Sequence, residues 1–203
     1  MRTGRVILFT LLLSAVLSAQ DPLSAVRANM EKLRTFQADF IQRKKIASMN
    51  HTMTIEGEIA LDKSGRMAWR VLKPIRYVCL ISGDSLTQWD ADSGRTIRLD
   101  TAKNPALKVL LQSMTDYFSG NFKRMEKDFQ ITSPSPDTIR LEPHSGSMTA
   151  RFIRKLEFQL SPDASCIAQV HIFENSGDAT EIEYRNIRIN QPIPETTWKA
   201  GKR

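Results

Sequence analysis

The sequence predicts an α+β fold in which about eleven short antiparallel strands form a wide, curved sheet accompanied by two main helices. Three observations support this fold class. Apolar and polar residues alternate through most of the chain, short turn clusters separate the alternating runs, and two segments have helical spacing instead. Because no linker, repeat or low-complexity segment divides the chain, we expect a single domain over residues 20–203, preceded by a leader over residues 1–19.

The leader has the layout of a secretory signal peptide. Arg2 and Arg5 precede an uncharged apolar run, and small residues lead up to Ala19. The apolar stretch of 14 residues, Val6 to Ala19, is shorter than the roughly 20 residues that a membrane-spanning helix needs. We therefore expect an exported protein whose leader is cleaved.

The mature chain is predicted to open with a helix and then change to strands. Pro22 suits the first helical position, and apolar residues from Leu23 to Leu33 recur at helical spacing. From Phe36 onward the period becomes two, first through residues 36–41 and then through residues 52–61. Further alternating runs cover residues 67–71 and 77–81, with tight turns between them, so the first half is predicted to be an antiparallel meander.

A second helix is predicted over residues 104–118. Asn104 and Pro105 form its start, and Gly120 is placed to end it. Its apolar residues cover more than one narrow stripe, so we expect it to be buried on more than one side. Strand patterns then resume and continue to Ile189. A sheet this wide tends to curl, and this helix is the natural cover for its apolar face.

Charge and motifs exclude several functions. Taking Arg2 and Arg5 from the 29 basic residues leaves 27 against 22 acidic ones, a diffuse excess with no footprint for nucleic acid. His51, His144 and His171 are scattered and form no metal-binding pattern. We therefore expect no cofactor, no metal and no nucleic-acid partner, and a monomer.

One motif suggests an esterase. Residues 83–86 have the sequence Gly-Asp-Ser-Leu, like the nucleophile block of GDSL hydrolases. That chemistry requires Ser85 to be activated by a histidine with an acidic partner, and no Asp-x-x-His block occurs in the chain. Ser85 also lies between two strand patterns, so a hairpin turn is the favoured interpretation and we expect no enzyme. Cys79 and Cys166 leave two alternatives open, a disulfide or two buried thiols.

The order of the motifs resembles a known family. The pieces are Leu33-x-x-Phe36-x-Ala38-x-Phe40-x-Gln42, Gly57-x-Ile59-x-Leu61, Arg66-Met67-x-Trp69, Lys73-Pro74, and the C-terminal run from Tyr184 to Trp198. In this order and spacing the chain resembles the periplasmic outer-membrane lipoprotein carrier family, the LolA family. The resemblance implies a strongly curved, incompletely closed antiparallel β-barrel with helices as a lid over an apolar cavity.

The resemblance also implies a function and partners. Family members carry acylated lipoproteins through the periplasm, taking them from an inner-membrane ATP-driven release complex and delivering them to the outer membrane, where an acceptor takes them. Relatives of this fold suggest two alternatives: a carrier of another lipid or glycolipid, and an envelope-stress sensor or adaptor.

Candidate cavity residues on the strands follow from the alternation of apolar side chains, and those on the second helix follow from its apolar surface. A register shift of one residue would turn several of the strand residues outward. The candidates are Phe36, Phe40, Ile55, Ile59, Leu61, Met67, Trp69, Ile81, Leu107, Leu110, Leu111 and Met114. The resemblance places a gate at Lys63, where Lys63-Ser64 stands in place of the family's Arg-Pro pair. Lysine lacks the planar five-donor fork of arginine, so the gating contacts must differ.

Overall fold

The structure is a computed structural model that describes residues 22–83, 85–100, 116 and 121–200. Eleven strands occur in these ranges, and all neighbouring strands are antiparallel. They are β1 (Thr35–Ile46), β2 (His51–Asp62), β3 (Met67–Lys73), β4 (Tyr77–Ser82), β5 (Ser85–Asp90), β6 (Thr96–Asp100), β7 (Phe129–Ser135), β8 (Thr138–Pro143), β9 (Ile153–Leu160), β10 (Ile167–Glu174) and β11 (Ala179–Ile189). The predicted meander is confirmed.

The strand order shows that two meanders form one open sheet. The order is β6-β5-β4-β3-β2-β1-β11-β10-β9-β8-β7, so β1 pairs with β11 at the centre and β6 and β7 are the edges. The first half of the chain builds outward from the centre, and the second half begins at the far edge and returns. Because β6 and β7 do not pair, the barrel is incompletely closed, as predicted.

The sheet curves around a single apolar cluster. Buried residues of this cluster come from ten of the eleven strands, and outside the sheet only two short helices and two loop residues of the described ranges add to it. Because buried residues of ten strands share this one cluster, the strands bend toward one another and bury each other's side chains. We call the clustered side of the sheet the concave face and the opposite side the convex face.

Cross-strand pairing sets out the concave face as rows of neighbouring side chains. One row contains Phe36, Leu61 and Met67, and a second contains Ala38, Ile59 and Trp69. Farther along β1, Gln42 lies between Ile55 and Ile182. A slip of one residue in this register would place these apolar side chains on the convex face.

Two helices pack on this cluster. Helix α1 (Pro22–Met30) buries Val26 and Met30, and helix α2 (Phe122–Met125) buries Phe122 and Met125. The Arg27 side chain of α1 forms an ion pair with Glu126 and lies over the Phe122 ring. Helix α1 agrees with the sequence prediction, whereas α2 is too short for its apolar spacing to have been detected.

Two elements in the second half of the chain differ from the prediction. The cluster Pro134-Ser135-Pro136-Asp137 is typical of a turn between two strand patterns, but β7 continues through Pro134 to Ser135. An edge strand tolerates proline because one side of its backbone needs no hydrogen-bond partner in the sheet. A 3₁₀ turn over Glu195–Trp198 also follows β11, in a segment that lacks strand or helix periodicity. The predicted helix over residues 104–118 lies, except for Asp116, outside the described residues.

Candidate functional site

The concave face has a packed region in which side chains fill the space between the sheet and the helices. Its largest members are at most 2% exposed. We define the packed region by Phe36, Ile59, Met67, Leu141 and Phe158. Tyr184 extends it and meets the Phe36 ring edge-on, with 5.5 Å between ring centroids. Burial raises the pKa of the Tyr184 hydroxyl, which is therefore neutral at physiological pH.

The same face has an open region whose apolar side chains are incompletely covered. On β2, exposure rises along the strand from 2% at Ile59 to 46% at Met53, with Ile55 between them. At the β6 edge, Ile97 and Leu99 are 52% and 43% exposed. We define the open region by these exposed or half-buried concave side chains, namely Met53, Ile55, Ile97, Leu99, Ile172 and Ile182.

An aromatic stack marks the boundary between the two regions. The Phe40 ring stacks on Trp69 with 4.0 Å between centroids. Phe40 is paired with Gly57, and a Cβ atom at Gly57 would lie 1.9 Å from the Arg70 carbonyl oxygen and 2.6 Å from Phe40 Cζ. Glycine is therefore required for the ring to lie flat against the sheet.

A polar row closes the open region on the side of the β1–β2 turn. Lys44 lies on the concave face between Met53 and Thr180. Its ammonium group is 2.8 Å from Glu174 Oε1 and 3.9 Å from Asp178 Oδ2. Along β10 the surface therefore changes from the apolar Ile172 to the charged Glu174 within two residues, which suits a ligand with an apolar chain and a polar end.

Eight of the twelve predicted cavity residues lie in the described ranges, and all eight belong to the concave face. Six of them are buried, namely Phe36, Phe40, Ile59, Leu61, Met67 and Ile81, and two are half-buried, namely Ile55 and Trp69. Leu107, Leu110, Leu111 and Met114 lie outside the described residues. Ile172 and Ile182 were not predicted. Ile182 lies between two glutamates and could have been found by alternation, whereas Phe173 beside Ile172 obscures that signal.

The predicted gate residue Lys63 is exposed on the β2–β3 turn, where its backbone N–H donates to the Arg34 carbonyl at 2.8 Å. The neighbouring arginine makes the more extensive contacts. Arg66 pairs with Asp62 at 2.8 Å and lies over the Trp198 ring at 4.5 Å from its centroid. Burial raises the pKa of Asp62, but hydrogen bonds from Ser64 and Arg66 outweigh it and hold the pKa below its ordinary value.

The C-terminal segment covers the convex face behind the packed region. Arg70 is 5% exposed, and its guanidinium donates to the carbonyls of Thr197 and Lys199 at 2.7 and 2.8 Å. Together with Ala60 and Ala68, Arg70 and Thr197 line a small cavity of about 90 Å³ that also has charged walls. Small alanine side chains give the segment room to approach the sheet. This support was not predicted, because nothing in the sequence pattern links Arg70 to a segment 127 residues away.

The remaining candidates for chemistry have structural roles. Ser85 pairs with Ser82 in the β4–β5 hairpin, where Gly83 has φ +56°, and no histidine bonds Ser85 within the described part of the chain. Cys79 and Cys166 are both free thiols. Of the two alternatives, a disulfide or two separate thiols, the structure has the second. Burial raises the pKa of Cys79, which keeps it in the unreactive thiol form.

Two negative findings apply to the described ranges. No group of three potential metal-ligating side chains occurs there. None of the helices in those ranges combines the length and apolar character needed to cross a membrane.

Comparison with known proteins finds relatives that align over nearly the whole chain. A curated outer-membrane lipoprotein carrier protein from Pseudomonas putida (strain W619) is 25% identical and aligns over 98% of this chain and 94% of its own length. The corresponding protein from Nitrosospira multiformis is 24% identical, covering 96% and 90%. An uncharacterized conserved protein from Thermus thermophilus shares the fold, with a TM-score of 0.54 at 9% identity over 91% of this chain and 95% of that one.

A family model connects these similarities to the features described above. The model of the outer membrane lipoprotein carrier protein LolA matches residues 31–200, from the end of α1 through the C-terminal segment that Arg70 holds. It therefore spans the packed region, the open region and the support behind them. The chain belongs to the LolA family of outer membrane lipoprotein carrier proteins.

Proposed function

We propose that this protein carries the acyl chains of lipoproteins in the open region of its concave face and shuttles them from the inner to the outer membrane. The observation that supports this most directly is the incomplete coverage of large apolar side chains on the inside of a curved sheet. Met53, Ile97 and Leu99 are each about half exposed there. A folded protein gains from burying such groups, so leaving several of them uncovered on one concave face favours a surface that an apolar ligand covers.

The energetics of transfer fit this arrangement. An acyl chain that leaves a bilayer for water loses about 0.8 kcal/mol per exposed methylene, so a carrier must enclose it. A carrier must also release the chain, so its apolar surface must shield the chain from water and still leave it a path out. The open region meets both requirements because its side chains are partly exposed, whereas the packed region has no room for a ligand.

The polar row beside the open region provides a place for the polar end of the cargo. Lys44 and Glu174 form an ion pair at the point where the apolar surface ends. With acyl chains against Ile55 and Ile182, the peptide of an acylated lipoprotein would extend past this pair into solvent. Peptide N–H and carbonyl groups can bond both charged partners at little cost, because both are already solvent-accessible.

The remaining parts of the proposal concern location, partners and chemistry. We infer that residues 1–19 are a cleaved signal peptide, that residues 20–203 form one periplasmic domain, and that an inner-membrane ATP-driven complex supplies the cargo. An outer-membrane acceptor then takes it. The proposed carrier performs no chemistry of its own, which agrees with the hairpin position of Ser85.

Native mass spectrometry of the mature protein purified from the bacterial envelope tests this proposal. A bound acylated peptide or lipoprotein, identified after extraction, is the expected result. A bound glycolipid would contradict lipoprotein carriage while retaining the apolar site. A protein without lipid that also fails to bind an apolar fluorescent probe would contradict the site itself and favour an adaptor.

A pair of variants tests the location of the site. Ile55→Asp places a charge in the open region and is expected to lower binding of a diacylated lipopeptide at least about tenfold, because the carboxylate would be desolvated by the acyl chains. Leu72→Asp is the matched control, since Leu72 is 46% exposed on the neighbouring strand but lies on the convex face. Equal loss of binding in both variants would contradict the assignment.

A further inference from the structure

We propose that the loops at one end of the sheet form a docking surface for the anionic face of a lipid bilayer. The surface, which we call the rim, consists of the β1–β2 turn, the β10–β11 turn and the loop that precedes β9. Three large apolar side chains project from it. Met49, Met148 and Phe152 are 70%, 69% and 67% exposed, the highest values among the large apolar residues of the described ranges.

Hydrogen bonds between the three loops hold the rim together. The Ala47 backbone N–H donates to Asp178 Oδ1 at 2.9 Å, which joins the first turn to the second. Asn175 joins the second turn to the β9 loop, donating from its backbone N–H to Phe152 O at 2.9 Å and from its side chain to Ala150 O at 2.8 Å. The exposed apolar side chains therefore extend from a connected surface and not from three separate loops.

Basic side chains surround the apolar ones. Lys45, Arg151 and Arg154 are exposed, and none of them has a carboxylate within 4.0 Å in the parts of the chain that the structure describes. The nearest acids of the turns, Glu174 and Asp178, are both paired with Lys44. Asp128 and Glu142, on the far side of the β9 loop, are exposed carboxylates beside the rim.

This combination selects a bilayer over the other possible occupants. Apolar tips among basic groups are complementary to an interface where acyl chains lie just beneath anionic headgroups. In a symmetric dimer formed through the rim, the three basic side chains of one copy would lie near those of the other and repel them. Three side chains also give a shallow contact, which suits reversible attachment and is too small for a stable protein interface.

The rim lies beside the open region, so docking through it would bring the proposed lipid-binding surface close to the membrane. Only His51 and Thr52 separate Met53 from the β1–β2 turn, and its cross-strand neighbour Lys44 belongs to the polar row. A protein docked through the rim therefore turns Met53 and Ile55, the part of the open region nearest the β1–β2 turn, toward the bilayer. An acyl chain could then move between membrane and protein over a short path.

Vesicle flotation of the mature protein tests the proposal. We expect it to float with vesicles of phosphatidylglycerol and phosphatidylethanolamine, much less with pure phosphatidylcholine, and less at high salt. Phe152→Ser and Arg151→Glu are each expected to weaken partitioning about tenfold. The matched controls are Leu72→Ser, on the convex face five strands from β9, and Lys32→Glu, beyond the end of α1.

Several results would overturn docking to a bilayer. These are no flotation of the wild-type protein, unchanged flotation of Phe152→Ser, and equal weakening by the controls. Rim-dependent dimers in analytical ultracentrifugation without vesicle binding would assign the rim to a second copy instead. Binding of an apolar probe by Phe152→Ser, measured in parallel, separates this proposal from carriage, because loss of docking leaves the open region intact.

Discussion

The packed and open regions occupy the same face of one sheet and are built from the same kinds of residue. Isoleucine and methionine occur in both, and neighbouring positions of β2 belong to each. The packed region is covered by α1 and α2 on the concave face and supported by the C-terminal segment on the convex face. Within the described ranges, the open region is supported mainly by its own strands. Residue type and spacing thus place an apolar side chain on the concave face. The elements that pack against that face decide whether the side chain is buried in the core or left exposed for a ligand.

The largest expected effect is loss of packing at Phe158. Truncation to alanine leaves a cavity among fully buried neighbours, so Phe158→Ala should lower the free energy of unfolding by about 4 kcal/mol. Met53→Ala, in the open region, should cost less than about 1 kcal/mol because nearly half of the side chain is already exposed. Urea denaturation measures both. Similar losses would mean that the two regions do not differ in packing.

The next largest effect is expected at the boundary between the packed and open regions. Gly57→Ala introduces a Cβ atom into the Arg70 carbonyl and the Phe40 ring, and we expect it to cost about 3 kcal/mol. Gly146→Ala is the control for backbone strain, since Gly146 has φ +82° but open space around it, and it should cost about 1 kcal/mol. Trp69 fluorescence should also change in Gly57→Ala, because the stack on Phe40 is displaced. An unchanged spectrum and stability would rule out the close approach.

Removing the convex support should have a moderate effect. Arg70→Ala deprives the carbonyls of Thr197 and Lys199 of their donor, and we expect a loss of about 2 kcal/mol together with faster proteolysis of the C-terminal segment. Arg98→Ala, at an exposed position of the edge strand β6, should change stability by less than about 0.5 kcal/mol. If the two variants behave alike, the segment does not support the packed region.

The smallest effect is expected at the β2–β3 turn. The folded-state pKa of Asp62 is lowered, so its contribution to stability is fully present above the unfolded-state value and is lost as pH falls through the folded value. Asp62→Asn should therefore cost about 1 kcal/mol at neutral pH, and the difference from wild type should shrink below about pH 4. Thermal unfolding across this range measures the difference. A constant difference at all pH values would exclude a role for the charge.

The contrast between the two regions also shows how far the pattern of the sequence extends. Alternation placed Phe36, Ile59 and Trp69 on one face correctly, because a period of two follows directly from strand geometry. The same pattern included buried Phe36 and half-buried Ile55 in one predicted cavity, although only the second lies in the open region. Alternation reports which face a side chain occupies and carries no information about what packs above it.

Sequence alone determined the antiparallel strands, the alternation of their faces, the first helix and the family resemblance, since each depends on spacing along the chain. Tertiary structure alone decided which apolar residues are filled core, that Arg70 holds a segment 127 residues away, and that three loops form one rim. These features depend on contacts between residues far apart in the chain. Such contacts are set by how the sheet curves and closes, a property of all the strands together that no local pattern encodes.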